Sequence, residues 1–523
     1  MLLFIFLDLV SIFSTKNPKT KQNMKKLIFL LAIVLIAFSC SKDDNQHQVN
    51  TPELAKVEPL TPAEINSIIN KQIEETGTFK WDDVDSYVLW SAVMNGNNIL
   101  TVGYDSEPFS ENRSQKSLGI KNDIISLTVD IESDVAEKAK SAKDVLVYDS
   151  EIINYIDLHV TSIDVIEALR YNPDVRYVEP SGYEYFAHEN IEKSSSGCNN
   201  TPANVYTADY VTIAPNAQQS WTYTKHNIPQ AWSYSTGSGI TVGLIDTGVS
   251  AEQSLLGSNF NNGYSSGRFI QKYGTYVNSI WPWSTSTDGP HDKCGHGTLM
   301  AATIASPRNN RNLPVGVAYG CNLVAYRATS DVVLDGYHEK RGVSNALTQL
   351  ANRSDVKVIS MSIGHIFSAG NISDAIKYAY SKGKLIIAAG GTSTSFTNWA
   401  GVIFPASMSE TVAVTGITDG SGYTECAVCH KGSKIDFTVI MQRAGNSDRT
   451  SVCLGFFENT NTYVGGSSVA TATTAGIAAL IWARHPSWTR QQVLDKMKQS
   501  ASFYPNRHSD FGWGSINALA AVQ

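Results

Sequence analysis

The sequence has few charged residues and no cluster of basic ones. Only 17% of its 523 residues are charged, 42% are hydrophobic, and the formal net charge is −7. Because no basic block of the type that binds nucleic acids is present, DNA and RNA are not expected as partners. The composition is typical of a globular protein with enough apolar residues for a large core. The length predicts roughly two to four domains, and no internal repeat is present.

The apolar segment near the amino terminus is short. It covers Leu27–Phe38, directly after Met24, Lys25 and Lys26, and is too short to be a good membrane-spanning helix. A basic start, a short apolar core and a small residue before the cleavage site are typical of a secretory signal. We therefore interpret residues 1–40 as a signal region and expect Met24 to be the true start.

One cysteine stands at the end of this apolar segment. The segment Ala37-Phe38-Ser39-Cys40 resembles the end of a bacterial lipoprotein signal, with Ala37 in place of the usual leucine. In such signals the cysteine becomes the lipidated first residue, and the following Ser41-Lys42-Asp43-Asp44 is similar to the acidic surface-export signals of some bacterial lipoproteins. We expect lipidation at Cys40, contact with the membrane through the lipid, and a place on the outer membrane or cell surface. An ordinary cleaved signal and a secreted protein are the alternative.

Other cysteines are few, and their number is even. They are Cys198, Cys294, Cys321, Cys426, Cys429 and Cys453. In an exported chain this count predicts up to three disulfides, whose pairing the sequence does not determine. As an alternative, Cys426, Cys429 and His430 could bind zinc together with Cys453.

The amino-terminal half predicts a tether and a small domain. Residues 41–75 are polar and contain three prolines, which is typical of a linker. The segments Tyr87–Met94 and Ile99–Tyr104 flank an Asn-Gly-Asn-Asn turn and predict a β-hairpin. We place the small domain at residues 76–190.

Within this domain, a regular alternation of elements follows the hairpin. The patterns predict, in order, a strand over 124–131, a helix over 132–143, strands over 145–148 and 153–160, a helix over 161–170 and a strand over 175–178. This order is β-α-β-β-α-β, the split βαβ arrangement.

The carboxy-terminal half has a different pattern. Residues 191–225 are irregular, rich in Ser, Asn and Thr, and predict an exposed junction. From residue 226 to 523, short β-branched runs alternate with helical segments. Such runs suit buried parallel strands. We therefore predict an α/β domain with a doubly wound parallel sheet.

Three polar residues in this domain could carry chemistry. Asp246 ends an apolar strand, where catalytic groups gather in open α/β sheets. His296 lies between glycines at a helix start and has a side chain suited to proton transfer. Ser468 enters a long Ala-rich helix, whose free N–H groups can stabilise an oxyanion. Taken singly, each residue could instead be a turn or capping residue.

The order Asp, His, Ser along the chain belongs to the subtilisin arrangement. The segments Ile240–Val249, Gly295–Thr298 and Gly466–Ala470 resemble the aspartate, histidine and serine motifs of the subtilase family. By this resemblance Ser468, and not Ser467, is the nucleophile. A lipase or esterase is disfavoured by the Asp-His-Ser order of these residues along the chain.

The resemblance implies a subtilisin-like α/β fold over residues 226–523 and a serine endopeptidase that hydrolyses protein or peptide substrates. Asp246 would orient His296, His296 would take the proton of Ser468, and the backbone N–H of Ser468 would help to stabilise the oxyanion. The substrate backbone would bind along residues that resemble the family's substrate strands: Ser362, Ile363, Gly364, Ala389 and Gly390. No cofactor is required. Calcium is common in the family, but no loop offers convincing ligands, so no metal site is assigned.

The domain at residues 76–190 also resembles a part of subtilases. Ile166–Arg170 and Asp174–Pro180 are similar to the closing helix and strand of the subtilase propeptide. This implies a ferredoxin-like α+β prodomain that assists folding and inhibits the enzyme. It also implies self-cleavage between about Tyr185 and Thr207.

One position departs from the family pattern. In Ile387–Thr392 the asparagine that donates to the oxyanion is replaced by Gly391. In subtilisin, losing that donor lowers turnover roughly 10²–10³-fold. Either another group fills the gap, with Thr392, Ser393, Asn398 or a water as candidates, or the enzyme is slow. The remaining alternative is an inactive subtilase-fold lipoprotein that binds peptides.

Overall fold

The computed structural model describes residues 58–188, 197–392 and 401–523. Residues 59–523 pack as one unit. The predicted signal region, Cys40 and residues 41–57 of the predicted tether lie outside the described residues. So do Ser393, Asn398 and residues 189–196 of the predicted cleavage region.

The amino-terminal part of the described chain combines helices with a small sheet. Its helices are α1 Pro62–Thr76, α2 Ser86–Asn95, α3 Gln115–Val135, α4 Ala142–Val145 and α5 Ile163–Arg170. Its strands are β1 Ile99–Tyr104, β2 Leu146–Asp149, β3 Tyr155–His159 and β4 Val175–Glu179. The strands form one antiparallel sheet in the order β2-β3-β1-β4. Between β1 and β4 the chain follows the order β-α-β-β-α-β, with the short α4 before β2.

The predicted helix over 132–143 covers only the end of α3 and the start of α4, and two further predictions for this part are wrong. The first strand of the predicted hairpin is the helix α2, which Asp85 caps by accepting the N–H of Val88 at 2.9 Å. The predicted strand over 124–131 lies inside α3. There Ile120, Ile124 and Thr128 are buried four residues apart, which is the helical period. The alternation that predicted a strand came from Ile125, which is buried, and from Leu127, Val129 and Ile131, which are half-buried.

A third difference concerns the predicted tether. Residues 62–76 form α1, which begins at a capping box between Thr61 and Glu64. Its residues Ile65, Ile69 and Ile73 are buried. The prolines that favoured a linker instead lie before the helix and at its first position, where proline is tolerated.

The carboxy-terminal part confirms the predicted parallel sheet. Its strands are β5 Tyr210–Ile213, β6 Ala217–Ser220, β7 Thr241–Asp246, β8 Ile270–Gly274, β9 Asn322–Arg327, β10 Val356–Met361, β11 Leu385–Ala389, β12 Thr411–Thr418, β13 Phe437–Gln442, β14 Ser451–Leu454 and β15 Asn461–Val464. Seven of them form a parallel sheet in the order β13-β12-β11-β10-β7-β9-β8. The pairs β5-β6 and β14-β15 are antiparallel.

Helices cover both faces of this sheet. They include α6 Trp221–Lys225, α7 Ile228–Ala231, α8 His296–Ala305, α9 Tyr337–Asn352, α10 Gly370–Ser381, α11 Gly466–Arg484, α12 Arg490–Gln499 and α13 Ala518–Val522. Successive residues of β7 face opposite cores. Leu244 belongs to the core that contains α8 and α11, and Ile245 to the core that contains α9 and α10. Burial on both faces explains why the strands are apolar throughout.

The helix α11 is apolar and long enough to cross a membrane by composition alone. In the structure 89% of its apolar window is buried inside the protein. It is therefore the central core helix, and it carries Ser468 at its amino-terminal end.

The small amino-terminal sheet lies against α9 and α10. Tyr337 donates to Asp157 at 2.9 Å, and Arg176 forms an ion pair with Asp374 at 2.8 Å. Glu179, at the end of β4, accepts the N–H of Gly370 at the start of α10 at 2.8 Å. These contacts direct the chain that follows β4 toward the carboxyl edge of the large sheet.

Candidate active site

Asp246 is the last residue of β7 and is fully buried. Its Oδ1 accepts the backbone N–H of Thr247 at 2.8 Å and the Nδ1–H of His296 at 2.7 Å. Its Oδ2 has no hydrogen-bond partner among the described residues. One oxygen of the carboxylate thus holds the histidine ring.

His296 is the first residue of α8, and its loop is organised by Asp292. This buried carboxylate accepts hydrogen bonds from the backbone N–H groups of Cys294, Gly295 and Thr298 at 2.8–2.9 Å. It also accepts from the hydroxyl of Thr298 at 2.6 Å. Asp292 was not predicted from the sequence, although an acidic residue just before a helix start is a known capping signal.

The pKa of His296 is raised. Burial disfavours the charged ring, but the adjacent carboxylate of Asp246 and the more distant charges of Asp292 and Asp331 outweigh this effect. The ring is therefore a stronger base than an isolated histidine.

Ser468 and Ser467 have different environments at the start of α11. Ser467 is buried, and its hydroxyl is bonded to the hydroxyl of Thr392 at 3.0 Å and to the N–H of Gly391 at 3.3 Å. Ser468 is partly exposed, and no described residue hydrogen-bonds to its hydroxyl. Ser468 and His296 line the same cleft, of about 1020 Å³. The structure thus brings the three predicted catalytic side chains to one place.

Four of the five predicted substrate-binding residues line this cleft: Ser362, Ile363, Gly364 and Ala389. Gly390 is not among the lining residues, and its N–H donates to the carbonyl of Val414 at 2.8 Å. Gly364 is already paired, because its N–H donates to Val332 at 2.9 Å and its carbonyl accepts from Leu334 at 3.0 Å. Neither glycine therefore offers a free backbone edge in this structure.

The candidate oxyanion donors are arranged around Gly391. Thr392 is bonded through its hydroxyl to Ser467, and the Ser467 N–H donates to the same hydroxyl at 3.3 Å. Gly391 itself has φ +128°, a conformation that side chains rarely adopt. The histidine His430, considered in the sequence only as a zinc ligand, lies directly against Gly391.

The cysteines form two disulfides, Cys198–Cys294 and Cys426–Cys429. Cys321 and Cys453 are buried free thiols. The zinc interpretation is wrong, because two of its proposed ligands are bonded to each other and Cys453 donates to the carbonyl of Leu299. In the parts of the chain that the structure describes, no group of His, Cys, Asp or Glu side chains has the arrangement of a metal site.

Two further segments form walls of the cleft. Gly197 and Asn199, on either side of Cys198, line the cleft. The bond Cys198–Cys294 holds them there, because Cys294 lies two positions before His296 in the chain. From the other side, Phe186 and Ala187, which follow the small sheet, also line the cleft. Asp335 accepts the N–H groups of Tyr185 and Phe186 at 3.0 and 2.9 Å and so fixes their path.

Known proteins resemble this chain in the same region. The sequence model of the Subtilase family matches residues 237–514. Subtilisin E of Bacillus subtilis (strain 168) is 27% identical over 371 residues, which are 71% of this chain and 81% of that protein. Subtilisin of Bacillus pumilus is 28% identical over 288 residues, or 55% and 92% of the two chains. A solved protease structure from Pseudoalteromonas arctica PAMC 21717 aligns with a TM-score of 0.44 and 24% identity, over 57% of this chain and 93% of that one. Since the family model covers more than half of the sequence, this chain belongs to the subtilase family.

Proposed function

We propose that the protein is a serine endopeptidase in which Asp246, His296 and Ser468 form the catalytic triad. The observation that carries this proposal is the 2.7 Å bond between Asp246 and His296 beside a cleft that also holds the hydroxyl of Ser468, to which no residue of the described chain hydrogen-bonds. Membership of the subtilase family and the likeness to subtilisins support the same reaction.

The mechanism follows from this geometry. Nε2 of His296 takes the proton of the Ser468 hydroxyl as Oγ bonds to the substrate carbonyl carbon. The imidazolium is stabilised by Asp246 and then protonates the leaving amine as the C–N bond breaks. Water, deprotonated by the same ring, releases the acyl group and restores Ser468. The backbone N–H of Ser468, at the positive end of α11, stabilises the negative oxygen in both steps.

We also propose that residues up to about 188 are a ferredoxin-like prodomain and that the enzyme is made as an inhibited precursor. The antiparallel order β2-β3-β1-β4 and the position of Phe186 and Ala187 in the cleft support this role. Self-cleavage would fall between about Tyr185 and Thr207. Export and lipidation at Cys40 remain part of the proposal.

A peptide-binding protein without catalytic activity is the second candidate. Two observations favour it: the missing asparagine at Gly391 and the backbone of Gly364, which is already paired with residues 332 and 334. The intact contact between Asp246 and His296 favours the enzyme, because a mere binding protein has no need of a buried carboxylate–imidazole pair.

A fluorophosphonate probe, which reacts with activated serines, decides between the two candidates. Wild-type protein should be labelled and should release its prodomain, and Ser468→Ala should do neither. Ser467→Ala is the matched control and should still be labelled, at a lower rate because the bonds to Gly391 and Thr392 are lost. Labelling that survives Ser468→Ala would exclude Ser468 as the nucleophile. An unlabelled wild type that binds extended peptides would support the second candidate.

A further inference from the structure

The segment Gly197–Asn199 lies beside the ring of His296. A Cβ atom added to Gly197 would lie 3.7 Å from Cδ2 of that ring and 3.1 Å from both Cγ atoms of Val332. Gly197 also has φ +74°, a conformation in which a side chain is strained. The backbone at position 197 therefore spans the gap between His296 and Val332 and leaves little room there for another side chain.

The end of this segment packs against the glycine that precedes His296. A Cβ atom added to Gly295 would overlap the carbonyl oxygen of Asn199 and would come within 2.9 and 3.1 Å of the carbonyl carbon of Asn199 and the nitrogen of Asn200. The side chain of Asn199 accepts the N–H of Thr201 at 2.9 Å, which fixes the turn that follows. The path of the segment along the histidine loop is thus set by close backbone contacts.

A covalent bond keeps the segment in this place. Cys198, at its centre, is bonded to Cys294, and their Cα atoms lie 4.6 Å apart. Cys294 is itself buried, so its end of the bond has little freedom to move. A cut elsewhere in the junction, between about Tyr185 and Thr207, leaves Cys198 attached to the histidine loop. The segment therefore stays at the cleft after processing, for as long as the disulfide is intact.

The gap that the segment fills lies close to the nucleophile. The hydroxyl of Ser362 donates to the backbone carbonyl of Ser468 at 3.1 Å, and two residues further on the N–H of Gly364 donates to the carbonyl of Val332 at 2.9 Å. A strand advances about 3.3 Å per residue, so Val332 lies roughly two residues along the cleft from the nucleophile. The gap between Val332 and His296 is therefore next to the penultimate residue of the acyl part of a substrate, the one just before the residue whose carbonyl is attacked.

We propose that the segment Gly197–Asn199 is a specificity element, which limits the penultimate residue of the substrate to a small side chain, glycine or alanine. The inference rests on the proposed peptidase function. When the substrate carbonyl lies at Oγ of Ser468, the penultimate side chain enters the gap between His296 and Val332. A side chain larger than a methyl group meets the backbone of the segment there, and the disulfide prevents the segment from moving aside. Selection thus acts by a steric clash with unwanted substrates.

A series of related peptides tests this selection. A peptide that the wild-type enzyme cleaves is prepared with Gly, Ala, Leu or Phe as its penultimate residue, and mass spectrometry of the products verifies that the same bond is cleaved. We expect kcat/KM for the Gly and Ala peptides to be at least about tenfold higher than for the Leu and Phe peptides.

Two variants show whether the segment imposes the preference. Cys198→Ser/Cys294→Ser frees the segment, and Val332→Ala removes both Cγ atoms on the far side of the gap. Each should raise kcat/KM of the Phe peptide relative to the Ala peptide about tenfold. Val211→Ala, at an exposed position of β5, is the matched control and should leave this ratio unchanged. Thermal unfolding verifies that the variants are folded, and Val332→Ala decides alone where the disulfide variant does not fold.

Other results overturn the inference. A wild type that cleaves the Ala and Phe peptides with kcat/KM values within about twofold of each other has no such restriction. A preference for small residues that persists unchanged in the folded variants shows that a different part of the cleft imposes it. In both cases, labelling of the wild type by the fluorophosphonate probe leaves the proposed peptidase function intact. A wild type that is neither labelled nor active on any peptide overturns both proposals.

Discussion

Asp246 holds His296 through a single carboxylate oxygen, at 2.7 Å, while its other oxygen has no partner in the described chain. Both side chains are buried, so water screens this contact little. The carboxylate therefore determines which ring nitrogen of His296 carries the proton and leaves Nε2 free to act as the base.

Asp246→Asn tests this role directly. An amide in this position donates to the ring and favours the wrong tautomer, so we expect kcat to fall about 10⁴-fold. Steady-state hydrolysis of a peptide substrate measures the change, and thermal unfolding verifies that the variant is folded. A loss below tenfold would contradict the assignment of Asp246.

The pH dependence of the reaction provides a second prediction. His296 must be neutral to accept a proton, so kcat/KM rises with pH as the ring deprotonates. Because the pKa of His296 is raised, mainly by Asp246 acting against burial, the midpoint should lie above the usual value of about 6.5. In the residual activity of Asp246→Asn the midpoint should move to lower pH. An unshifted midpoint would show that Asp246 does not set the basicity of the ring.

We expect Glu179 to make the contact between the small sheet and α10 sensitive to pH. Burial raises the pKa of Glu179 to about 7, although its bond to the Gly370 N–H and the charge of Lys340 oppose the shift. Asp82 and Asp374 add to it. A carboxyl with a raised pKa binds its proton more tightly in the docked state, so docking weakens as pH rises toward and through about 7.

We therefore expect a processed prodomain to dissociate faster at pH 8 than at pH 6. Glu179→Gln, which is neutral at both values, should slow release at pH 8 and reduce the difference between them. The lag before activity appears measures the release. An equal lag for wild type at the two pH values would contradict this prediction.

The two disulfides should have different effects when removed. Cys198–Cys294 spans 96 residues and Cys426–Cys429 spans 3. Loop-closure entropy predicts losses of about 5 and about 2 kcal/mol in the free energy of unfolding. Both losses are measured by thermal unfolding of the Cys198→Ser/Cys294→Ser and Cys426→Ser/Cys429→Ser variants. Each variant is made in the Ser468→Ala precursor.

In otherwise wild-type enzyme, loss of the shorter bond should lower kcat more than its small effect on stability suggests, because the turn that it closes carries Ala427 and Val428, which line the cleft. Equal kcat values for the Cys426→Ser/Cys429→Ser variant and wild type would show that the turn is held without the bond.

Asp209 lies in the segment predicted as an irregular junction but is fully buried. It accepts hydrogen bonds from Arg443, Arg449 and Tyr463 at 2.6–3.2 Å. Removal of the buried Asp209 carboxylate leaves its hydrogen-bond donors without their acceptor. Because both arginines are partly exposed, we expect Asp209→Ala to lower the free energy of unfolding by about 3 kcal/mol, the lower end for a broken buried ion pair. The exposed Asp448 is the matched control, and Asp448→Ala should cost less than about 0.5 kcal/mol. Urea unfolding compares the two; similar losses would contradict the prediction.

The large parallel sheet could be predicted because its strands are buried on both faces. Such strands are short apolar runs separated by helices, a pattern that local sequence carries without knowledge of contacts. In the amino-terminal part, the local pattern over residues 124–131 indicates a strand although the segment is a helix. There, apolar residues alternate by chance, and the helical spacing of Ile120, Ile124 and Thr128 becomes visible only through burial.

The sequence by itself located Asp246, His296 and Ser468, because each lies in a short motif whose residues act through local backbone geometry. It also exposed the missing asparagine at Gly391. The tertiary structure decided which cysteines pair, that Gly364 and Gly390 are already bonded, and that His430 fills the place beside Gly391. These are contacts between segments far apart in the chain, and they depend on how the strands and loops pack against one another, which no local pattern records.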